Sequence, residues 1–110
     1  MSASKVGGPL QSPWVYDSGS DSNGNRVTLT INFNTTTHAL ANAVLHRDAG
    51  CMYKKIYIGL GPDGTADSTT HVFGIGNLEG DRNITAAGLQ AVGLTTIDDV
   101  IALGQITAGP

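Results

Sequence analysis

Sulfur, charge and long apolar runs are all scarce in this chain. One cysteine, Cys51, among 110 residues excludes an internal disulfide and any zinc site built from several thiolates. Charged residues make up 14% of the chain, against roughly 25% in ordinary globular domains. The basic ones stand at 5, 26, 47, 54, 55 and 82, with only Lys54 and Lys55 adjacent. A phosphate backbone is held by several cations on one face, so this scatter, with a net charge of −3, argues against nucleic acid as a partner. No stretch approaches the ~18 apolar residues of a membrane-spanning helix. The first residues, Met1 to Pro9, have no apolar core of a secretory signal, and the expectation is a cytoplasmic protein where it is made. No repeat of 20–50 residues is present.

What is abundant is small and polar. Gly, Thr, Ser and Asn fill 41 of the 110 positions, a composition of strands and tight turns rather than of a helical bundle. With 40% hydrophobic residues the chain is nevertheless too apolar to be disordered. Its length allows one core, and the expected division is an extended N-terminal arm over 1–13 followed by one domain over 14–110.

Alternation is clearest at 26–34, where Val27, Leu29, Ile31 and Phe33 share one face and Arg26, Thr28, Thr30 and Asn32 the other. This predicts a half-buried antiparallel strand. Asn23 and Gly24 before it suit a hairpin turn with Trp14, Val15 and Tyr16. Thr37 as a cap, the stripe of Leu40, Ala41, Ala43 and Val44, and Gly50 as a stop predict a helix over 38–48. Strands follow at 54–60 and 71–76, joined through the turn residues Gly61 to Gly64. Gly74 and Gly76 weaken the second of these and suggest a bend, a bulge or another backbone passing close by. Residues 77–83 read as a turn-rich loop. Thr85 is placed to start a short helix broken at Gly93. Thr96 with Asp99 forms a capping-box pattern for a last helix ended by Gly104, leaving 105–110 as a tail. The expected fold is α+β: a small antiparallel sheet of about four strands with two or three short helices packed on one face.

Candidate chemistry is sparse. Asp17, Asp21, Asn23 and Asn25 fail the calcium-loop spacing, since Ser22 stands where glycine is needed and Thr28 where the closing Glu belongs. The run from Gly59 to Gly64 lacks the lysine of a phosphate loop, and Glu79 replaces the third glycine of a dinucleotide motif. The helix over 38–48 would hold His38 and His46 about 12 Å apart, too far for one metal. No metal and no cofactor is expected. Asp98 and Asp99 argue against DNA for the C-terminal helical hairpin.

Three functions are consistent with this pattern. The first is a structural or assembly protein working through subunit–subunit contacts, as in a small phage virion component of the capsid-decorating or head-completion type. Its basis is the turn-laden small sheet, whose edges invite strand addition and so a homo-oligomer or larger assembly. The second is a small oligomeric ligand-binding domain with a pocket at a subunit interface. Trp14, Tyr16, Tyr53 and Tyr57 would stack there, and Arg47 and Arg82 would take an anion. The third is an enzyme using Cys51 as nucleophile with His71 and a carboxylate. No recognised nucleophile motif surrounds Cys51, so a non-enzymatic role is favoured.

Overall fold

The computed structural model describes residues 4–5 and 11–110, and these residues are mainly strand, 40% against 12% helix. Among the described residues, eight strands form two antiparallel sheets of four. They are β1 (Ser4–Lys5), β2 (Trp14–Asp17), β3 (Val27–Phe33), β4 (Leu40–Arg47), β5 (Lys55–Ile58), β6 (His71–Gly74), β7 (Gly80–Thr85) and β8 (Gln105–Gly109). One sheet runs β2-β3-β4-β7 and the other β1-β8-β5-β6. Two short helices, α1 (Ala86–Gln90) and α2 (Ile97–Leu103), lie between β7 and β8.

The alternation of β3 is reproduced: Val27, Leu29, Ile31 and Phe33 are 0, 0, 1 and 6% exposed. They meet Ala43 and Leu45 of β4, Ile56 and Ile58 of β5, and Ile106 and Ala108 of β8 in a cluster to which both sheets and both helices contribute. Each such aliphatic side chain contributes roughly 1.5–3 kcal/mol by leaving water. Tyr16 of β2 packs against this cluster, its hydroxyl close to the Ala108 backbone and the Thr107 side chain of β8.

Three expectations are corrected. The segment expected as a helix over 38–48 is β4. Between Asn32↔Asn42 and Phe33↔Leu40 the register shifts, so Ala41 is an extra residue in a bulge. The bulge leaves Leu40 and Ala43 both buried three residues apart, which imitates one face of a helix. The expected loop over 77–83 contains most of β7, an exposed edge strand in which only Gly80 and Ile84 are half-buried. With Ile84 as its one large apolar side chain, it carries no alternation to read. The expected tail over 105–110 is β8, paired on one side with β5 and on the other with β1. Its small residues and closing Gly-Pro look like a terminus, yet four of its five residues are buried. The single sheet of about four strands with helices on one face is therefore two sheets of four and two helices. Of the arm expected over 1–13, residues 1–3 and 6–10 lie outside the described residues. Ser4 and Lys5 pair with Ile106 and Gln105.

The caps of both helices are where their residues indicate. The Thr85 hydroxyl accepts from Gly88 N at 3.2 Å, and Asp99 Oδ2 accepts from the backbone N–H groups of Thr96 and Thr95 at 2.9 and 2.8 Å. Through Leu89, Leu94, Ile97 and Val100 the helical segment closes one end of the core. Arg47 closes the other. It is 5% exposed, and it donates from Nη2 to the Cys51 carbonyl at 2.5 Å and from Nε to the Tyr53 carbonyl at 3.1 Å.

Candidate functional site

Strands β6 and β7 are each one edge of their sheet. In register, Arg82 and Ile84 stand opposite Leu45 and Ala43, both fully buried, so their side chains leave β7 on the inward face. A groove of about 530 Å³ lies between these edges, lined by Val72, Phe73, Ile84 and Val92 with His71 and Arg82. Gly88 lets α1 sit against β7 at its floor, because a Cβ there would come within 3.2 Å of Ile84 Cγ2. Val72 and Val92 are each 50% exposed, and Leu78, in the β6–β7 connection, is 54% exposed.

Two side chains tie the groove together. His71 Nε2 lies 2.9 Å from the Val92 carbonyl oxygen and Nδ1 3.2 Å from that of Thr69. Arg82 Nη1 donates to the Gly74 carbonyl, one of the five N–H donors a guanidinium carries.

The backbone of β6 adds a second feature. Ile75 N donates to the Lys54 carbonyl at 3.0 Å, so odd-numbered residues of this strand face β5. Antiparallel pairs alternate, so Val72 and Gly74 turn their N–H and C=O groups outward, away from the sheet. Arg82 on the Gly74 carbonyl agrees with that direction. The strand carries no Lys, Arg, Asp, Glu or Pro, the residues with which edges are ordinarily blunted. By contrast, β7 has Asp81 and Arg82, β2 has Asp17, and β1 has Lys5.

Of the residues nominated from sequence, only His71 and Arg82 come together in this groove. Tyr57 lines a separate depression of about 290 Å³ with Leu60, Thr65 and Pro110. Trp14, Tyr16 and Tyr53 pack against the core; burial pushes the Tyr16 phenol up. Arg47 spends its donors on backbone carbonyls, as above. Cys51 is 1% exposed. Burial raises its thiol above the ordinary value, and the nearby Asp21 carboxylate acts in the same direction. Among the described residues no hydrogen bond joins Cys51 to His71, and no group of three or more His, Cys, Asp or Glu is placed to hold a metal. No described helix is long and apolar enough to cross a membrane.

The Asp-rich hairpin loop is organised by its own backbone. Asp21 Oδ1 accepts from Asn23 N and Asn25 N at 2.8 and 3.0 Å, and Oδ2 from Met52 N at 2.9 Å. These bonds, that of Met52 foremost, hold the Asp21 carboxyl below its usual range. Val72, Phe73, Ile84 and Val92 were not nominated from sequence; Gly74 gave the one available signal, a strand glycine.

Compared with family models, with curated proteins and with solved structures, the chain finds no match in any of the three.

Proposed function

We propose that this is a structural, assembly protein that works through subunit–subunit contacts, with the β6 edge as its contact surface. One observation carries the reading: β6 is an edge strand without charged residues or proline whose Val72 and Gly74 backbone groups face outward, beside the exposed Val72 and Val92 side chains. Such an edge templates strand addition, in which main-chain bonds give affinity and neighbouring side chains give selectivity. A virion component of the capsid-decorating or head-completion kind is the assembly role that the composition suggests.

The test is solution mass by size exclusion with light scattering, across a concentration series, for the wild-type chain and Val72→Lys. Val72 points away from the core, so the variant keeps the fold, which circular dichroism checks. A wild-type dimer or larger species that the lysine reduces to monomer supports the proposal. A wild-type monomer throughout the series overturns it.

A second reading, a binding domain for a small anionic ligand, is favoured by Arg82, which reaches the groove with four further N–H donors. Native mass spectrometry separates the two: a co-purifying small molecule lost with Arg82→Ala belongs to this second reading.

A further inference from the structure

Strand β6 has a self-complementary edge, and we propose that it pairs antiparallel with β6 of a second copy about a two-fold axis at Phe73. The inference rests on the assembly reading above and names its partner and register.

Only two residues of β6, Val72 and Gly74, present outward backbone groups. The next even-numbered residue, Thr70, is already engaged, its N–H donating to Asp67 O at 3.2 Å and its hydroxyl to Gly59 O at 3.0 Å. With the axis at Phe73, Val72 of each copy stands opposite Gly74 of the other. Each of these two pairs exchanges both N–H···O bonds, giving four in all. An axis at Val72 would form two such bonds and oppose Gly74 to the engaged Thr70. An axis between residues would oppose outward groups to inward ones. Pairing at Phe73 is also isologous, each copy using the same residues, as two-fold interfaces require.

Gly74 supports a close neighbour. Its φ is not in the left-handed region, and a Cβ there would meet only Lys55 Cγ at 3.9 Å, an ordinary contact. Neither backbone conformation nor packing within the chain requires glycine at this position, and a glycine inside a strand marks close approach by another backbone. Arg82 does not forbid the pairing, since a carbonyl oxygen has two lone pairs and Arg82 takes one on Gly74. Strand β6 itself carries no Lys, Arg, Asp or Glu to oppose its copy. The product is a continuous eight-stranded sheet, β1-β8-β5-β6 joined to the same four strands in reverse order. Three paired residues per copy put the contact at the small end of protein interfaces, below about 1,200 Å² in total, so the dimer dissociates on dilution.

The experiment is disulfide trapping in the full chain. Val72→Cys and Gly74→Cys are prepared separately, then oxidised alone and as an equimolar mixture at the concentration where light scattering gives a dimer. Opposed residues of a hydrogen-bonded pair lie ~5.5 Å apart at Cα, within disulfide range. Cys51, 1% exposed, does not compete. The expected result is a covalent dimer in the mixture and little in either variant alone. A dimer that crosslinks in Val72→Cys alone, or in no combination, overturns the Phe73 axis and leaves the assembly reading standing. A monomer at every concentration overturns both.

Discussion

At the scale of single residues, two polar side chains do opposite work at the two ends of exposure. Arg47 is buried and spends its charge on the carbonyls of Cys51 and Tyr53, with the Leu78 carbonyl at 3.5 Å, pinning two connections to the end of β4. His46 is 44% exposed at its side chain. Its Nδ1 lies 2.6 Å from Asp81 of β7 and its Nε2 3.0 Å from Asp48. Thr28 of β3 stands beside it in register, and Arg26, whose N–H bonds Asp48 at 2.9 Å, turns its guanidinium to Asp17. The bond to Asp81, then that to Asp48, raises the His46 imidazole above its ordinary value. The Arg26 N–H, then His46, lowers Asp48. A histidine whose folded value is raised stabilises fully below its unfolded value of about 6.5, and that contribution is lost as pH rises through the folded value. Asp48, being lowered, acts in the other direction and loses its contribution only as pH falls through its folded value. Denaturant stability should therefore decline as pH climbs from about 6.5 through the raised His46 value, and His46→Gln should flatten that slope. Solvent screening limits the change to under about 1 kcal/mol. A wild-type slope no steeper than the variant's would show that the two contacts carry no net stabilisation.

Among the elements, β3 and β8 bracket what could be read in advance. In β3, seven residues alternate without interruption. The caps at Thr85 and Thr96 were equally legible, because a hydroxyl or carboxylate meeting a free N–H is a local event. Local chemistry failed at β4, where the bulge at Ala41 shifted two buried residues to helical spacing. It failed again at β7 and β8, one too polar and the other too small to show a pattern. For β8 the deciding fact is non-local: Ile106 and Ala108 face the core because β5 and β1 receive the strand on either side. The groove suffered the same blindness, since its two walls come from different sheets and only their docking brings His71 and Arg82 together. If β8 is a structural member of its sheet, Ile106→Ala should cost about 2–5 kcal/mol, as for other fully buried aliphatic truncations. That is a large share of the roughly 5–15 kcal/mol that holds a domain folded. A loss below about 0.5 kcal/mol in urea titration would return residues 105–110 to the status of a tail.

Over the whole molecule, the order of the strands sets how the chain can reach this structure. The meander β2-β3-β4 pairs neighbours in sequence, and β5 with β6 makes another local hairpin. The remaining pairings wait on distant chain. Strand β7 returns to β4 across the β5–β6 hairpin, and β8 reaches β5 only after β6, β7 and both helices. Closing such loops costs entropy before the contacts reward it, and sheets built this way refold in milliseconds to seconds rather than microseconds. The same order separates two truncations that look alike in the finished core. Leu45 of β4 and Ile106 of β8 are 0 and 1% exposed, yet one belongs to the local meander and the other to the last strand to arrive. With the meander as the nucleus, Leu45→Ala should chiefly slow refolding, whereas Ile106→Ala should chiefly speed unfolding at a similar loss of stability. Stopped-flow chevrons of the two variants decide it: equal division of the loss between both limbs would mean that β8 is already docked at the barrier, and sub-millisecond refolding of the wild type would mean that these long-range pairings do not limit the rate.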